Sequence, residues 1–238
     1  MKHAVYCGTR NIYGDMLASA KSLVANSSVD VIHMLVEDAD MGEELPPLVV
    51  VHDVSGQGFF PPDGPNMTSQ FTYMAMMRAA LCHVLPDVRR VLSLDADTIF
   101  RADADGIWDL STEGCYFAAT PEWHRSNDGM LYCNLGVALY DLDALRDGKA
   151  DEVIDVLNRR RYTWVEQDVF NYLCQGRIAE MPSDYNSNWW TDRNALGTTV
   201  KHFAGMTRAE WAHLPEVERW RGMPWDEVMA LREARDKR

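Results

Sequence analysis

The chain has 238 residues, 47% of them hydrophobic, and carries 23 Lys and Arg against 36 Asp and Glu, for a formal net charge of −13. That length buries a substantial core. The acidic balance argues against a nucleic-acid acceptor and against an anionic membrane surface, since both call for clustered Lys and Arg. The five cysteines, Cys7, Cys82, Cys115, Cys133 and Cys174, are odd in number and contain no C-x-x-C pair, so neither a zinc ribbon nor a disulfide framework is indicated, and a reduced, cytoplasmic compartment is expected. No run approaches the roughly 20 apolar residues of a membrane span.

In chain order, Ala4 to Gly8 reads as a buried strand, with a helix from about Asp15 to Ala25. Strands follow at Val29 to Val36 and Leu48 to Val54. The Gly- and Pro-rich stretch 56–66 breaks regular structure. A helix from about Ser69 to Val84 stops before Pro86, and Arg90 to Leu94 forms a strand that ends on Asp95. Further on, Tyr116 to Thr120 and Leu135 to Tyr140 read as strands. Leu142 to Arg160 and Gln167 to Cys174 read as helices, and Ile178 to Met181 and Val200 to Phe203 as short strands. A tail from Thr207, with Trp211, Trp220 and Trp225 at intervals, reads as helices packed on the body. Alternating strands and helices predict an α/β fold with a central mixed, mainly parallel sheet flanked by helices. One domain, 1–238, is expected: a first half to 110, a second at 111–206 and a helical tail at 207–238.

Asp95-Ala96-Asp97 follows the fourth strand directly. Residues two apart in an extended segment face one side, so both carboxylates can meet one hard cation, magnesium or manganese. Open α/β sheets bind ligands beyond the carboxyl ends of their strands. Taken alone, the triplet fits a solvated turn better than a metal site, since D-x-D triplets occur by chance in acidic proteins. Asp103 and Asp105 repeat the spacing in a polar helix-start context and read as structural. His202 ends a short β-rich run and can complete a carboxylate site. The other histidines, His3, His33, His52, His83, His124 and His213, show no paired ligand spacing.

Together these segments resemble glycosyltransferase family 8, the family of glycogenin and of bacterial lipopolysaccharide galactosyltransferases. The resemblance runs through Val5-Tyr6-Cys7-Gly8-Thr9-Arg10-Asn11, Ala20-Lys21-Ser22-Leu23, and Arg78 seventeen positions before Asp95. It continues through Val91 to Asp97, Tyr132-Cys133-Asn134-Leu135-Gly136-Val137 and Glu166-Gln167-Asp168-Val169-Phe170-Asn171. Met181-Pro182-Ser183-Asp184-Tyr185-Asn186 and His202-Phe203-Ala204-Gly205 with Arg208 complete it.

The resemblance implies a GT-A-type, nucleotide-diphospho-sugar transferase fold. It also implies a retaining transfer of glucose or galactose from a UDP-sugar to a hydroxyl acceptor, with a saccharide as the expected one. Asp95, Asp97 and His202 would hold Mn²⁺ or Mg²⁺ against the diphosphate. Gly8, Thr9, Arg10 and Asn11 would meet uracil and ribose, with Tyr13 a stacking candidate. Thr9 and Arg10 depart from the family's acid at this place. Ala96 and Gly205 would approach the donor, and Arg208 stands where the family has a phosphate-binding lysine. Arg78, Asn134 and Glu166 would surround the donor sugar, with Gln167 and Asp168 the catalytic candidates. An amide is a poor nucleophile, so Gln167 favours front-face attack on the side that UDP leaves. The loop 55–70, with Phe59 and Phe60, and the run Asn186 to Trp190 are candidate acceptor surfaces. Two other readings share this layout: a sugar-phosphate nucleotidyltransferase, and a non-catalytic sugar-nucleotide-binding protein.

Overall fold

A computed structural model of the protein describes residues 1–126, 129–193, 197 and 199–237. The N-terminal apolar run forms β1 (His3–Gly8), and β2 (Val31–Val36) and β3 (Val49–Asp53) lie parallel beside it. On the other side of β1 lies β4 (Arg90–Leu94), also parallel. Outside the main sheet, β5 (Thr98–Phe100) pairs antiparallel with β9 (Val200–His202). The main sheet continues through β6 (Phe117–Pro121), β7 (Cys133–Asp141) and β8 (Ile178–Glu180) to a seven-stranded order β3-β2-β1-β4-β7-β6-β8. Only β7 runs against its neighbours, β4 and β6.

Alternate residues of each strand feed two cores. Val5, Leu35, Val91 and Tyr140 pack with Met74, Leu81, Val153 and Phe170 on one face. Tyr6, Met34, Leu92 and Leu139 pack on the other face, with Met16 and Leu23 of α1 (Tyr13–Asn26). All nine residues of β7 are buried, so the middle of the sheet is covered on both sides.

The expected helix 69–84 starts later and is broken. It divides into α2 (Tyr73–Met76), a 3-10 turn at Met77–Ala80, and α3 (Leu81–Val84). Ser69 explains the late start: its hydroxyl donates to Phe71 O and accepts from Phe71 N, a local turn that competes with helix. The expected helix 142–160 is likewise two, α4 (Leu142–Leu145) and α5 (Lys149–Arg159). Gly148 takes φ +104° between them, a conformation glycine adopts without steric cost. Helix α6 (Val165–Leu173) begins two residues before its expected start. The tail forms α7 (Arg208–Trp211), α8 (Pro215–Gly222) and α9 (Trp225–Asp236), with Trp211, Trp220 and Trp225 buried and both α8 and α9 packed on α1. Among the described residues no helix is long and apolar enough to cross a membrane.

Candidate active site

Asp95 leaves the carboxyl end of β4, and its N–H donates to the Gly136 carbonyl on β7 at 2.8 Å. Three residues on, the chain enters β5, where Thr98 sits opposite His202 of β9, and Phe203 N donates to Asp97 O at 2.9 Å. This short antiparallel pair carries the imidazole to the carboxylates. His202 Nε2 lies 3.5 Å from Asp95 Oδ2 and 3.3 Å from Asp97 Oδ1, and one ligand atom from each residue falls within 4.8 Å of the others. His202 Nδ1 is 2.8 Å from Asn186 Oδ1, which fixes the ring with Nε2 facing the acids. Two carboxylates and one imidazole are a donor set that suits a divalent cation, so the residues fit. Burial alone would depress the His202 pKa. Asp97 and Asp95 outweigh it and raise the value to about 9.

Behind the triad, Arg78 in the 3-10 turn is buried between two acids. It pairs with Asp95 through Nη2, and its Nη1 donates to Glu166 Oε1 at 2.9 Å. Burial opposes ionisation of Asp95, but the Arg78 guanidinium and His202 hold its pKa well below the carboxylate range. Burial raises the pKa of Glu166 against the pull of Arg78.

Glu166, Gln167 and Asp168 ride on the first turn of α6, entered through Val165 at φ +40°, a strained position for a β-branched residue. Gln167 is held at both ends: Oε1 accepts from Leu135 N at 3.0 Å, and Nε2 donates to Glu122 Oε1 and Tyr132 Oη at 3.2 Å each. Asn134 Nδ2 also donates to Glu122 Oε1, at 3.1 Å. A register shift between Ala119 and Thr120 of β6, opposite β7, sets Asn134 and Gly136 at this place. Asp168 is saturated, accepting from Tyr132 Oη at 2.6 Å, Arg125 Nη2 at 3.0 Å and Trp164 N at 3.0 Å.

These groups line a cavity of about 590 Å³. Of the residues singled out in the sequence, Arg78, Asp95, Asp97, Asn134, Glu166, Gln167, His202 and Gly205 are on its wall. Gly8, Thr9, Arg10, Asn11, Tyr13, Ala96, Asp168 and Arg208 are not. Arg10 is exposed and pairs with Asp38 at 2.5 Å. Tyr13 is buried, its hydroxyl accepting from the backbone N–H of Glu37 and Asp38, so it anchors that loop. Arg208 reaches Asp15 on α1. Asp105 accepts from Ser28 N at 2.6 Å, a structural role.

The candidate acceptor surfaces shift as well. Phe60 is in the core and Phe59 stacks on His83, so this part of the loop faces away from the cavity. Only its end, Gln70, lines the wall, together with Phe71 and Trp164. In the second run, Asn186 and Asn188 support His202, Trp190 lines the cavity, and Trp189 is exposed.

The profile of Glycosyl transferase family 8 matches residues 3–204. The chain belongs to that family. It is a glycosyltransferase with a GT-A-like fold. The galactosyltransferase LgtC, solved with donor and acceptor sugar analogues, is similar at 18% identity and TM-score 0.66, over 95% of this chain and 99% of that one. The glycosyltransferase GlyE of Streptococcus pneumoniae has TM-score 0.72 at 17% identity, over 99% of this chain and 63% of its own. Mouse xyloside xylosyltransferase 1 has TM-score 0.63 at 15% identity, over 86% of this chain and 98% of its own. No individually curated protein matches the sequence.

For this family 8 glycosyltransferase, sequence reasoning missed Glu122, the buried acid that fixes both Gln167 and Asn134. A lone Glu after Pro121 gives no spacing signal. It also missed Asp15 and Arg221, which meet across more than 200 residues of chain.

Proposed function

We propose that the protein moves a hexose, glucose or galactose, from a UDP-sugar to a hydroxyl of a saccharide acceptor with retention of anomeric configuration, assisted by a divalent cation. The observation that carries this reading is the convergence of Asp95, Asp97 and His202 at the wall of a cavity whose polar groups are held in fixed orientations. Asp95, Asp97 and His202 would hold the cation. When bound there, it supplies positive charge to the diphosphate oxygens as the sugar–phosphate bond breaks.

The chain's own residues account for the rest. Glu166 and Asn134 present acceptor and donor atoms to sugar hydroxyls. Gln167, pinned by Leu135, Glu122 and Tyr132, offers an amide where double displacement needs a carboxylate. Front-face attack follows, with the acceptor hydroxyl entering on the side UDP leaves and its proton passing to the departing phosphate oxygen. Asp168, off the wall of this cavity, accepts from Trp164 N and so holds the turn that carries Glu166 and Gln167. The test is a panel of UDP-sugars with Mn²⁺, following slow hydrolysis to UDP. UDP release from one or more UDP-hexoses is expected. Release from none would overturn the reading, as would pyrophosphate exchange with UTP and a hexose 1-phosphate. A β linkage in the product, by NMR, would overturn retention from an α-linked donor.

A further inference from the structure

The carboxyl end of α1, strand β5 and the last two helices, α8 and α9, enclose a second cavity of about 350 Å³. Among the described residues none lines both this cavity and the one that holds the candidate active site. Three arginines from three different elements are on its wall: Arg101 directly after β5, Arg219 of α8 and Arg235 of α9. The acid among the described residues of that wall is Glu216. In a chain of net charge −13 this is a local reversal of sign.

Two of the arginines are held in the same way. Arg101 donates Nε and Nη2 to Glu216, and Arg235 donates Nε and Nη2 to its neighbour Asp236. Each keeps Nη1. Arg235 Nη1 is buried with no hydrogen-bond partner among the described residues, and Arg101 Nη1 donates to none of them either. A buried donor left unmade costs stability until something accepts from it. Arg219 is exposed and makes no ion pair with a described residue. Its guanidinium lies over the Trp220 ring, 5.2 Å from the centre. On this wall, with the bonded partners counted, two carboxylates answer three guanidiniums. One positive charge and N–H donors on all three arginines are left over. Among the described residues, none of the three donates to a carbonyl at the end of α1, so they do not cap that helix.

We propose that this cavity is a second binding site, for the phosphate group of a small phosphate monoester. Guanidiniums converging from three elements suit a tetrahedral group with three terminal oxygens. A planar carboxylate is matched by a single fork, as Glu216 already is by Arg101. Ile99, Trp220 and Leu231 give the cavity an apolar side for the carbon body of the ester, with Leu231 39% exposed. The site stands whether or not a UDP-sugar is the donor.

The test is calorimetric titration of the full chain with phenyl phosphate, inorganic phosphate and acetate at fixed ionic strength. Divalent cation is left out, which keeps phosphate from being drawn to Asp95 and Asp97. Saturable binding of phenyl phosphate is expected, with inorganic phosphate weaker and acetate not bound. Loss of one charged donor costs about tenfold in affinity. Arg219→Gln and Arg235→Gln should each show that loss, and Arg89→Gln, outside both cavities, should not. Arg219 is exposed and unpaired among the described residues, so Arg219→Gln carries the test alone if Arg235→Gln fails to fold. Wild type that binds no phenyl phosphate, binding unchanged in Arg219→Gln, or equal weakening in Arg89→Gln overturns the site. Acetate that binds as tightly as phenyl phosphate overturns the assignment to phosphate, and inorganic phosphate that does so overturns the ester.

Discussion

Gly136 offers the sharpest test of the candidate metal-site geometry. A Cβ built there falls on the His202 ring, against Cε1 and within 2.6 Å of Nδ1 and 2.7 Å of Nε2, closer than real Cβ atoms approach. The backbone at Gly136 has no positive φ, so alanine is resisted by this contact alone. Gly136 cannot retreat easily, because its carbonyl takes Asp95 N, its N–H donates to Asn134 Oδ1, and β7 is buried throughout. His202, on a three-residue strand, must therefore move and give up Asn186. Overpacking of this kind costs roughly 1–3 kcal/mol. Disturbing a ligand's supporting contacts typically costs about 10–100-fold in metal affinity. Gly136→Ala should thus weaken Mn²⁺ binding, read by calorimetry or EPR, and lower unfolding free energy, read in urea. The decisive arm is His202→Ala, which empties the space the methyl needs. In that background Gly136→Ala should cost under about 0.5 kcal/mol, a coupling measurable by double-mutant cycle. Unchanged Mn²⁺ affinity in Gly136→Ala, or an equal cost in both backgrounds, would refute the reasoning.

Asp97→Asn should abolish Mn²⁺-dependent UDP release while changing unfolding free energy by no more than about 0.5 kcal/mol, because the side chain is partly exposed; retained turnover would remove Asp97 from the site. Arg78→Gln strands Glu166 in the core beside Asp95 and should cost about 3–5 kcal/mol in urea unfolding, with part recovered by adding Glu166→Gln. No recovery would mean the loss is packing and not charge. His33, stacked on His3 and within hydrogen-bond distance of both His3 and His52, has its pKa lowered to about 4, by burial first and then by its two neighbours. The unfolded chain binds this proton near pH 6.5, so stability is full above that value and falls as pH drops toward 4, by about 1–2 kcal/mol after allowance for partial solvation. His33→Gln should flatten that part of the urea-stability curve; an unchanged slope between pH 7 and 4.5 would exclude His33 as its source.

Where long-period patterning or a run of motifs existed, the fold was legible in the sequence. The strand Arg90–Leu94 ending on Asp95, the helix after the first strand and the three-tryptophan tail were all readable from local composition. Short or cooperative elements were not. Three residues, Thr98–Phe100, are too few to show a period, yet β5 is what brings His202 to Asp97. The breaks at Ser69 and Gly148 are settled by one hydroxyl and one positive φ, which helical periodicity does not register. Within the site, motif order named Arg78, Asn134, Glu166, Gln167 and His202. It was silent on Glu122 and Asp15, whose partners are set only by three-dimensional packing.

The charge balance of the cavity bears on how an acidic protein can take an anionic donor. The arginines on its wall are already committed, Arg78 to Asp95 and Glu166 and Arg125 to Asp168. Against them and His202, whose pKa is raised to about 9, the same wall carries Asp95, Asp97, Glu122 and Glu166. A diphosphate entering this cavity with no cation meets net negative charge at short range, where screening by salt is weak. On the proposed function, the donor therefore enters with its cation or after it. On the proposed function Asp95 and Asp97 hold the cation at the diphosphate end, while Glu166 on the same wall accepts from sugar hydroxyls at the hexose end. Orientation of the donor in the cavity follows from that asymmetry.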